Sequence, residues 1–221
     1  MKFICNVWYM MVGFIQVNYH RRKIDFKKSY IITLNHQSFL DAAHIYTSIP
    51  HVFKTLGKIE LLKTPIYGLI YKSVVITVDR SSLRARANSF RKMQKELEKG
   101  ISIALFPEGT FPDEVREEFL PFQNGAFTLA LMQETDILPI LFLDTARRMP
   151  PKHIIQCTPG LNRSVFLPPV STKGMTKEDT DALKQYVQSY MQDCLYHARN
   201  EGPKAVWDFA VNWQREHKIF Q

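Results

Sequence analysis

Cysteine and long apolar runs are both scarce in this 221-residue chain. Its three cysteines are far apart and odd in number, so they indicate reduced thiols in a cytosolic setting, and neither a disulfide framework nor a metal site. No run of 18 apolar residues occurs, which counts against a transmembrane helix. The first residues lack the small-residue cleavage site of a signal peptide, so we expect none.

The sequence signatures of several functional classes are also missing. There is no glycine-rich phosphate loop of the G-x-x-x-x-G-K or G-x-G-x-x-G type, no H-E-x-x-H metal spacing and no G-x-S-x-G nucleophile turn. Zinc-finger, basic-zipper and aromatic RNA-binding patterns are absent as well. We therefore expect no resident cofactor or metal and no nucleic-acid partner, and a serine hydrolase is disfavoured.

Positive charge is in excess, with 29 lysines and arginines against 21 acidic residues and a net charge of +8. Such an excess suits an anionic partner, and with nucleic acid disfavoured, anionic lipid and a phosphorylated carrier remain. Much of the charge falls on a helix predicted over residues 82–99, where basic side chains surround an apolar stripe. That helix presents either an ordinary solvated face or a site for an anionic surface.

The N-terminal stretch from Phe3 to Val17 is mostly apolar and contains Trp8, Tyr9 and two methionines. Two interpretations fit it equally well. It is either an interfacial membrane element, with its aromatic rings at headgroup depth and the basic residues 21–23 close behind, or a first helix and strand that pack on the core.

Apolar runs rich in β-branched residues alternate with helical patterns along the chain. Strands are predicted at residues 30–34, 51–56, 73–78, 101–106, 137–143, 153–157 and 163–166, and helices at 42–48, 60–71, 82–99, 122–133, 178–200 and from 203 onward. This alternation predicts an α/β layer fold. We expect an N-terminal membrane-proximal segment at 1–17, one main domain at 18–200 and a C-terminal helical extension at 201–221 packed on that domain.

The stretch 35–41, Asn-His-Gln-Ser-Phe-Leu-Asp, follows a predicted buried strand and precedes a predicted helix. In α/β proteins, ligands and catalytic groups collect at this edge of the sheet. A histidine whose second ring nitrogen is held by a carboxylate is fixed in one tautomer and is a stronger base, and Asp41 is the nearest candidate partner of His36. Ser38 and Asp41 also have the S-x-x-D spacing of a helix-capping box, so the carboxylate has a structural alternative.

Two further loops lie where predicted strands end, at Val78–Arg80 and Phe106–Thr110. Together with residues 35–41, an N-H-x-x-x-x-D pattern, they resemble the sequence blocks of the glycerolipid acyltransferase family, and of the 1-acylglycerol-3-phosphate acyltransferases in particular. The lead-in to the second block is matched by Lys58–Leu61, Pro65 and Gly68, and the fourth block by residues 137–140. All four blocks stand in the family's order and spacing.

The resemblance implies a single α/β domain with a mixed, mostly parallel central sheet flanked by helices. It also implies transfer of an acyl group from a thioester of acyl carrier protein or coenzyme A to a free hydroxyl of a lysolipid, with no resident cofactor. His36 is expected to be the general base and Asp41 to orient its imidazole, so no enzyme nucleophile is needed. The family's acceptor-binding positions, which contact glycerol and phosphate, correspond to Arg80, Glu108, Gly109 and Thr110. Glu108 has one structural alternative, as a strand-end carboxylate satisfied by local amides.

Two positions depart from the family's pattern. Phe111 stands where the third block usually continues with arginine, and Gln123 stands where a later element usually has lysine. The acceptor is therefore either lysophosphatidate, with other cations supplying the missing charge, or another lysolipid such as an acylated amino acid. The candidate cations are Arg84, Arg86 and Arg116. A third hypothesis is a non-catalytic lipid- or carrier-binding homologue, against which the intact His36–Asp41 pattern counts.

These expectations describe a peripheral protein at the cytoplasmic face of the membrane. Its partners would be a lysolipid acceptor, a thioester donor and an anionic membrane surface. The sequence leaves open the carrier of the donor, the preferred acyl-chain length and the oligomeric state.

Overall fold

The structure, a computed structural model, describes residues 1–58, 75–78, 83–110, 112–114, 116–152 and 156–219. Its helices are α1 (Lys2–Val12), α2 (Asp41–Ser48), α3 (Leu83–Glu98), α4 (Gly125–Met132), α5 (Thr145–Arg148), α6 (Thr180–Asn200) and α7 (Val206–Glu216). Its strands are β1 (Phe14–Tyr19), β2 (Ile31–Leu34), β3 (Phe53–Lys58), β4 (Val75–Val78), β5 (Ser102–Leu105), β6 (Ile137–Phe142) and β7 (Gly160–Phe166).

The strands form one sheet in the order β1-β7-β6-β2-β5-β3-β4. From β6 to β4 every neighbouring pair is parallel, whereas β7 runs antiparallel to β6, and β1 runs parallel to β7. The mixed, mostly parallel sheet flanked by helices, which the family resemblance implies, is therefore confirmed.

The parallel pairing decides which loops meet. Because β2, β5, β3 and β4 all run in the same direction, their carboxyl ends lie at one edge of the sheet. The residues that follow β2 and β5, which include His36 and Glu108, therefore emerge at the same edge. This is the edge at which open α/β sheets hold their ligands.

Apolar side chains cover both faces of the sheet. Alternation along β2 sends Ile31 to one face and Ile32 and Leu34 to the other, and none of the three is exposed to solvent. On the first face Ile31 packs with buried side chains of α3, α4, α6 and α7. On the second face Ile32 and Leu34 pack with buried side chains of α1 and α2. The sheet is thus the middle of three layers, and its central strand is buried on both sides.

The N-terminal strand is an integral part of the sheet. β1 pairs with β7 along its whole length, from Phe14 beside Gly160 to Tyr19 beside Val165. The boundary predicted at residue 17 falls within this paired strand. The division of the chain into three regions stays a prediction.

The N-terminal helix has one packed side and one exposed side. Cys5 and Tyr9 are buried, so one side of α1 packs on the core. Phe3, Met10 and Met11 are 79–81% exposed, so the other side presents apolar side chains to solvent. No helix within the described ranges has both the length and the apolar character needed to span a bilayer.

The C-terminal helix packs on the long helix α6. Trp213 is buried, and its indole N–H donates to Asp193 Oδ2 of α6 at 2.7 Å, as expected of a tryptophan that serves packing. The helix begins at Val206, three residues later than the predicted start at Pro203, because residues 203–205 form a turn that the Ala205 N–H closes by donating to the carbonyl of residue 202.

The predicted helix at 60–71 lies outside the described residues, and the predicted strand at 153–157 lies partly outside them. Residues 156 and 157, which the structure describes, are not in a strand. The long helix starts at Thr180, after a 3₁₀ turn at Lys177–Asp179 that carries a capping box with Thr176.

A side chain fixes the end of β2 to β6. Asn35 is 1% exposed, its amide nitrogen donates to the Phe142 carbonyl at 3.0 Å, and the Phe142 N–H donates to its amide oxygen at 2.7 Å. The amide thus makes the two bonds that one more paired backbone residue would make. It also fixes the position of the next residue, His36.

We expect Asn35→Ala to lower the free energy of unfolding by about 2–4 kcal/mol, because the buried N–H and C=O of Phe142 would each lose a partner at a cost of roughly 1–3 kcal/mol. Denaturant unfolding measures the change. Asn88→Ala, at an exposed position of α3, is the matched control and should alter the free energy by less than about 0.5 kcal/mol. Equal losses in the two variants would contradict the role of the Asn35 amide.

Candidate active site

His36 lies two residues beyond the end of β2, at the edge of the sheet where β5 also ends. Its ring stacks on Phe106, with centroids 4.0 Å apart and planes at 17°. Nδ1 is 2.8 Å from Asp41 Oδ2, so the structure brings the two side chains together as the sequence pattern predicts. The histidine side chain is 16% exposed, which leaves part of the ring accessible from solvent.

Asp41, the first residue of α2, is fully buried. Its Oδ2 accepts three hydrogen bonds, from His36 Nδ1 at 2.8 Å, from the Gln37 N–H at 2.8 Å and from the Ser38 N–H at 2.9 Å. The same oxygen thus contacts the histidine ring and satisfies two backbone amides, whereas the residue that precedes α2 is Leu40, with no side-chain cap. These bonds fold residues 36–41 into a tight turn, called the His36 turn below.

The Ser38 hydroxyl gives the His36 turn a second anchor. Its Oγ accepts the Leu40 N–H at 3.0 Å and donates to the Met149 carbonyl at 2.6 Å, just after α5. Ser38 is fully buried. Sequence reasoning missed this bond because nothing local to Ser38 identifies a carbonyl 111 residues away.

A second buried carboxylate holds the same turn. Glu108, 5% exposed, accepts the His36 N–H through Oε1 at 2.7 Å and the Leu120 N–H through Oε2 at 2.9 Å. It is therefore satisfied by backbone amides, the structural alternative that its sequence position allows. Burial raises the pKa of its carboxyl from 4.5 to about 7, although the two amide donors act in the opposite direction.

The chain turns sharply after β5. Gly109 has a left-handed backbone with φ +76°, which glycine adopts without strain, and its N–H donates to the Phe106 carbonyl at 3.0 Å. A Cβ at this position would lie 3.6 Å from Gln123 Cγ. Gln123, which replaces an expected cation, is therefore beside Gly109. Thr110 follows and is exposed.

Helix α6 holds the loop that closes this edge. Gln192 Oε1 accepts the Phe119 N–H at 2.9 Å, and Gln188 Oε1 accepts the Phe122 N–H at 3.0 Å. Sequence reasoning missed both glutamines, because a polar residue on a long helix is expected to face solvent and carries no signal of a distant backbone partner. Their side chains position the loop that also supplies the Leu120 N–H to Glu108.

Not every residue of the predicted site can be compared. Arg80, Phe111 and most of the second block lie outside the described residues. β4, the strand that precedes Arg80 in sequence, ends at Val78 on the same edge as the His36 turn. The structure brings together His36, Asp41 and Glu108, and Gly109 and Thr110 directly follow Glu108 in the turn.

Sequence comparison decides the family. The acyltransferase family model matches residues 16–143, more than half of the chain. The chain belongs to the acyltransferase family. The matched range runs from β1 to just beyond β6, so this family region contains the His36 turn, Asp41 and Glu108.

Two curated acyltransferases match more than three quarters of this chain. An uncharacterized acyltransferase of Schizosaccharomyces pombe is 30% identical over 181 residues, which is 79% of this chain and 63% of that protein. The 1-acyl-sn-glycerol-3-phosphate acyltransferase alpha of Mus musculus is 31% identical over 175 residues, which is 78% of this chain and 61% of that protein. This chain thus spans about three fifths of the length of these curated relatives.

A solved acyltransferase structure shares the fold. The 1-acyl-sn-glycerophosphate (LPA) acyltransferase PlsC from Thermotoga maritima superposes with a TM-score of 0.76 at 20% sequence identity, over 90% of this chain and 78% of that chain. At this identity the likeness shows the fold alone, and it agrees with the mixed sheet and flanking helices described above.

The geometry of the His36–Asp41 contact is compatible with proton transfer. If Nδ1 carries the hydrogen that Asp41 accepts, the lone pair lies on Nε2, and the buried carboxylate stabilises the imidazole when it gains a proton. Within the described part of the chain, no three His, Cys, Asp or Glu side chains are grouped as metal ligands would be. That the reaction needs no metal or cofactor stays a prediction.

We predict that the stability contributed by Glu108 falls as the pH rises. The pKa of its carboxyl is about 7 in the folded protein against an ordinary 4.5, so between these values the folded state binds more protons than the unfolded state. The free energy of unfolding therefore decreases with pH across this window, by about 3 kcal/mol for this group. Unfolding curves at several pH values should show the free energy of wild type minus that of Glu108→Gln decreasing between pH 4.5 and about 7.

Glu118→Gln, at an exposed position of the neighbouring loop, is the matched control for this measurement. A wild-type minus Glu108→Gln difference that is no steeper with pH than the wild-type minus Glu118→Gln difference would show that Glu108 does not titrate in this way.

Proposed function

We propose that the protein is an O-acyltransferase that moves a fatty acyl group from a thioester of acyl carrier protein or coenzyme A to the free sn-2 hydroxyl of 1-acylglycerol-3-phosphate, giving phosphatidic acid. The observation that carries the proposal is the 2.8 Å contact of His36 Nδ1 with the fully buried Asp41 at the ligand-binding edge of the sheet. Membership of the acyltransferase family supports the reaction class, and the relative named for this acceptor supports the choice of acceptor.

His36 acts as the general base through Nε2. As the acceptor oxygen attacks the thioester carbonyl carbon, Nε2 takes the hydroxyl proton, and the Asp41 carboxylate stabilises the imidazolium. Collapse of the tetrahedral intermediate then breaks the carbon–sulfur bond, and the imidazolium returns the proton to the departing thiolate. No covalent enzyme intermediate is required, because the acceptor hydroxyl is itself the nucleophile.

The acceptor's glycerol and phosphate bind beside the His36 turn. We assign them to Arg80, Glu108, Gly109 and Thr110. The end of β4 at the same edge as the His36 turn supports Arg80, because that residue follows the strand by two positions in sequence. A guanidinium grips phosphate through two parallel bonds. The turn at Gly109 lets backbone groups approach the ligand closely, and Glu108 holds that turn against the His36 turn.

Two positions where basic residues are expected hold Phe111 and Gln123, so two kinds of acceptor remain possible. Gln123 lies beside Gly109 in place of a basic residue, which reduces the positive charge available to a phosphomonoester. Of the arginines that would compensate, Arg116 is tied to the site, since its carbonyl accepts Gln37 Nε2 at 3.0 Å. Arg84 is exposed on α3. The alternative acceptor is a lysolipid without a phosphomonoester, such as an acylated amino acid or a lysophospholipid diester.

We further propose that the protein works as a peripheral enzyme on the cytoplasmic face of an anionic membrane. The exposed apolar side of α1 supports contact with lipid, because Phe3, Met10 and Met11 would leave water on docking. The net charge of +8 supports attraction to an anionic surface.

The release of free thiol from acyl-coenzyme A and acyl carrier protein, with a panel of acceptors, tests the reaction. We expect release that depends on lysophosphatidate. Release only with other lysolipids would favour the alternative acceptor, and no release with any lipid would favour a non-catalytic binding protein.

His36→Ala should lower the turnover rate by about 10²–10⁴-fold, the usual contribution of a general base, with little change in KM. His217→Ala removes an exposed imidazole after α7 and is the matched control, which should keep its turnover. Turnover in His36→Ala that equals the control would rule out the assigned base.

Replacing Met10 and Met11 together by Glu should weaken binding to vesicles of phosphatidylcholine and phosphatidylglycerol by more than about tenfold, since two exposed apolar groups would no longer enter the lipid. Met132→Glu changes a methionine that is 46% exposed at the end of α4 and is the matched control. Co-sedimentation measures binding, and added salt should weaken it as charge is screened. Binding that resists salt would assign docking to the apolar face alone, and equal binding of all variants would remove α1 from the interface.

A further inference from the structure

A second buried polar network lies behind the His36 turn, between α1, α2 and β7. His44, three residues after Asp41 on α2, is fully buried and bonded at both ring nitrogens. Its Nδ1 is 2.7 Å from the Tyr9 hydroxyl, and its Nε2 is 2.8 Å from Ser164 Oγ. The Tyr9 oxygen also accepts the Asn162 side-chain N–H at 2.8 Å. The reaction proposed for His36 makes no direct use of these groups.

The hydrogen bonds of this network run in one direction. Ser164 Oγ is 2.9 Å from Ser48 Oγ, which donates to the His44 carbonyl at 2.8 Å. Ser48 Oγ uses its single proton on the His44 carbonyl, so Ser164 Oγ donates to Ser48 and accepts the hydrogen carried by His44 Nε2. His44 Nδ1 is then left to accept the Tyr9 hydroxyl proton. Burial lowers the pKa of His44 to about 4, in keeping with a neutral imidazole at pH 7. The network thus assigns His44 as the neutral Nε2–H tautomer.

The Tyr9 ring also belongs to the packing of the His36 turn. It is 4% exposed and shares an apolar cluster with Leu40, which lies in the turn just before Asp41, and with Met149. The Met149 carbonyl accepts the Ser38 hydroxyl of the same turn. One residue of α1 therefore contributes to the position of α2 through a hydrogen bond and to the His36 turn through its ring.

We propose that Tyr9 is a positioning residue for acyl transfer, and that its bond to His44 couples the seating of α1 to the geometry of the His36 turn. The inference rests on the acyl transfer proposed above. Because the opposite side of α1 presents Phe3 and Met10 to the outside, the same helix contacts a docked surface on one side and the buried network on the other. A displacement of α1 is thereby transmitted to the turn that holds Asp41.

Tyr9→Phe tests the coupling because it removes the hydroxyl and keeps the ring. Tyr30→Phe is the matched control, since Tyr30 is 3% exposed, donates its hydroxyl to the Asp25 carbonyl at 3.1 Å and precedes β2 at the opposite edge of the sheet. We expect Tyr9→Phe to lower kcat about five- to tenfold with KM for lysophosphatidate unchanged. Tyr30→Phe should lose a similar amount of thermal stability and keep kcat within about twofold.

Two measurements test the coupling of α1 to the His36 turn without an activity assay. Amide hydrogen exchange at Gln37 and Ser38, whose N–H groups bind Asp41, should accelerate about tenfold in Tyr9→Phe and stay unchanged in Tyr30→Phe. Nitrogen NMR should show His44 of the wild type as the neutral Nε2–H tautomer at neutral pH, with a shifted Nδ1 signal in Tyr9→Phe.

The outcomes separate this inference from the proposed reaction. A wild-type protein that transfers no acyl group would refute the reaction, and the exchange and NMR measurements would still decide the coupling. The proposed coupling would be overturned by unchanged amide exchange at Gln37 and Ser38 in Tyr9→Phe or by an Nδ1–H tautomer at His44. Equal kcat in Tyr9→Phe and Tyr30→Phe would overturn it as well.

Discussion

Two buried carboxylates bind three successive backbone N–H groups between the end of β2 and the start of α2. Glu108 accepts the His36 N–H, and Asp41 accepts those of Gln37 and Ser38. Left unpaired, each of these buried donors would cost about 1–3 kcal/mol. The carboxylates therefore let the chain turn sharply inside the protein. This turn places the His36 ring against Asp41. The bonds that shape the turn therefore also set the geometry of the His36–Asp41 contact.

The layers around the sheet explain how this turn is supported. Parallel pairing of β2 with β5 brings Glu108 to the edge where His36 emerges. Helix α6 holds the loop beyond Glu108 through two glutamine side chains. On the other face, α1 contributes Tyr9 to the packing of the turn. Residues from both outer layers thus meet at one edge of the middle layer, and the site draws its rigidity from the whole fold.

Local patterns predicted the contact between His36 and Asp41, which are close in sequence. The His36–Asp41 contact spans five positions, and a strand end followed by a helix start leaves few ways to arrange them. The block that contains Glu108 marked it as a candidate, but its partners were not predictable, because they are backbone amides of two separate loops. The N-terminal stretch was ambiguous for a related reason. An apolar helix side looks the same in sequence whether it meets a core or a membrane, and α1 has one side packed and one side exposed.

The sequence by itself predicted the alternation of strands and helices from local periodicity, and the order and spacing of its blocks indicated the family. It also made Asp41 the nearest candidate partner of His36, beside a structural alternative as a helix cap. Only the tertiary structure decided that β1 belongs to the sheet, that Glu108 is held by amides, and that His44 lies in a closed network behind the His36 turn. The physical reason is that a buried polar group must find its partner wherever the fold brings one within about 3 Å. The number of residues between two groups does not predict their distance in space when the partner is a backbone group or lies in another layer.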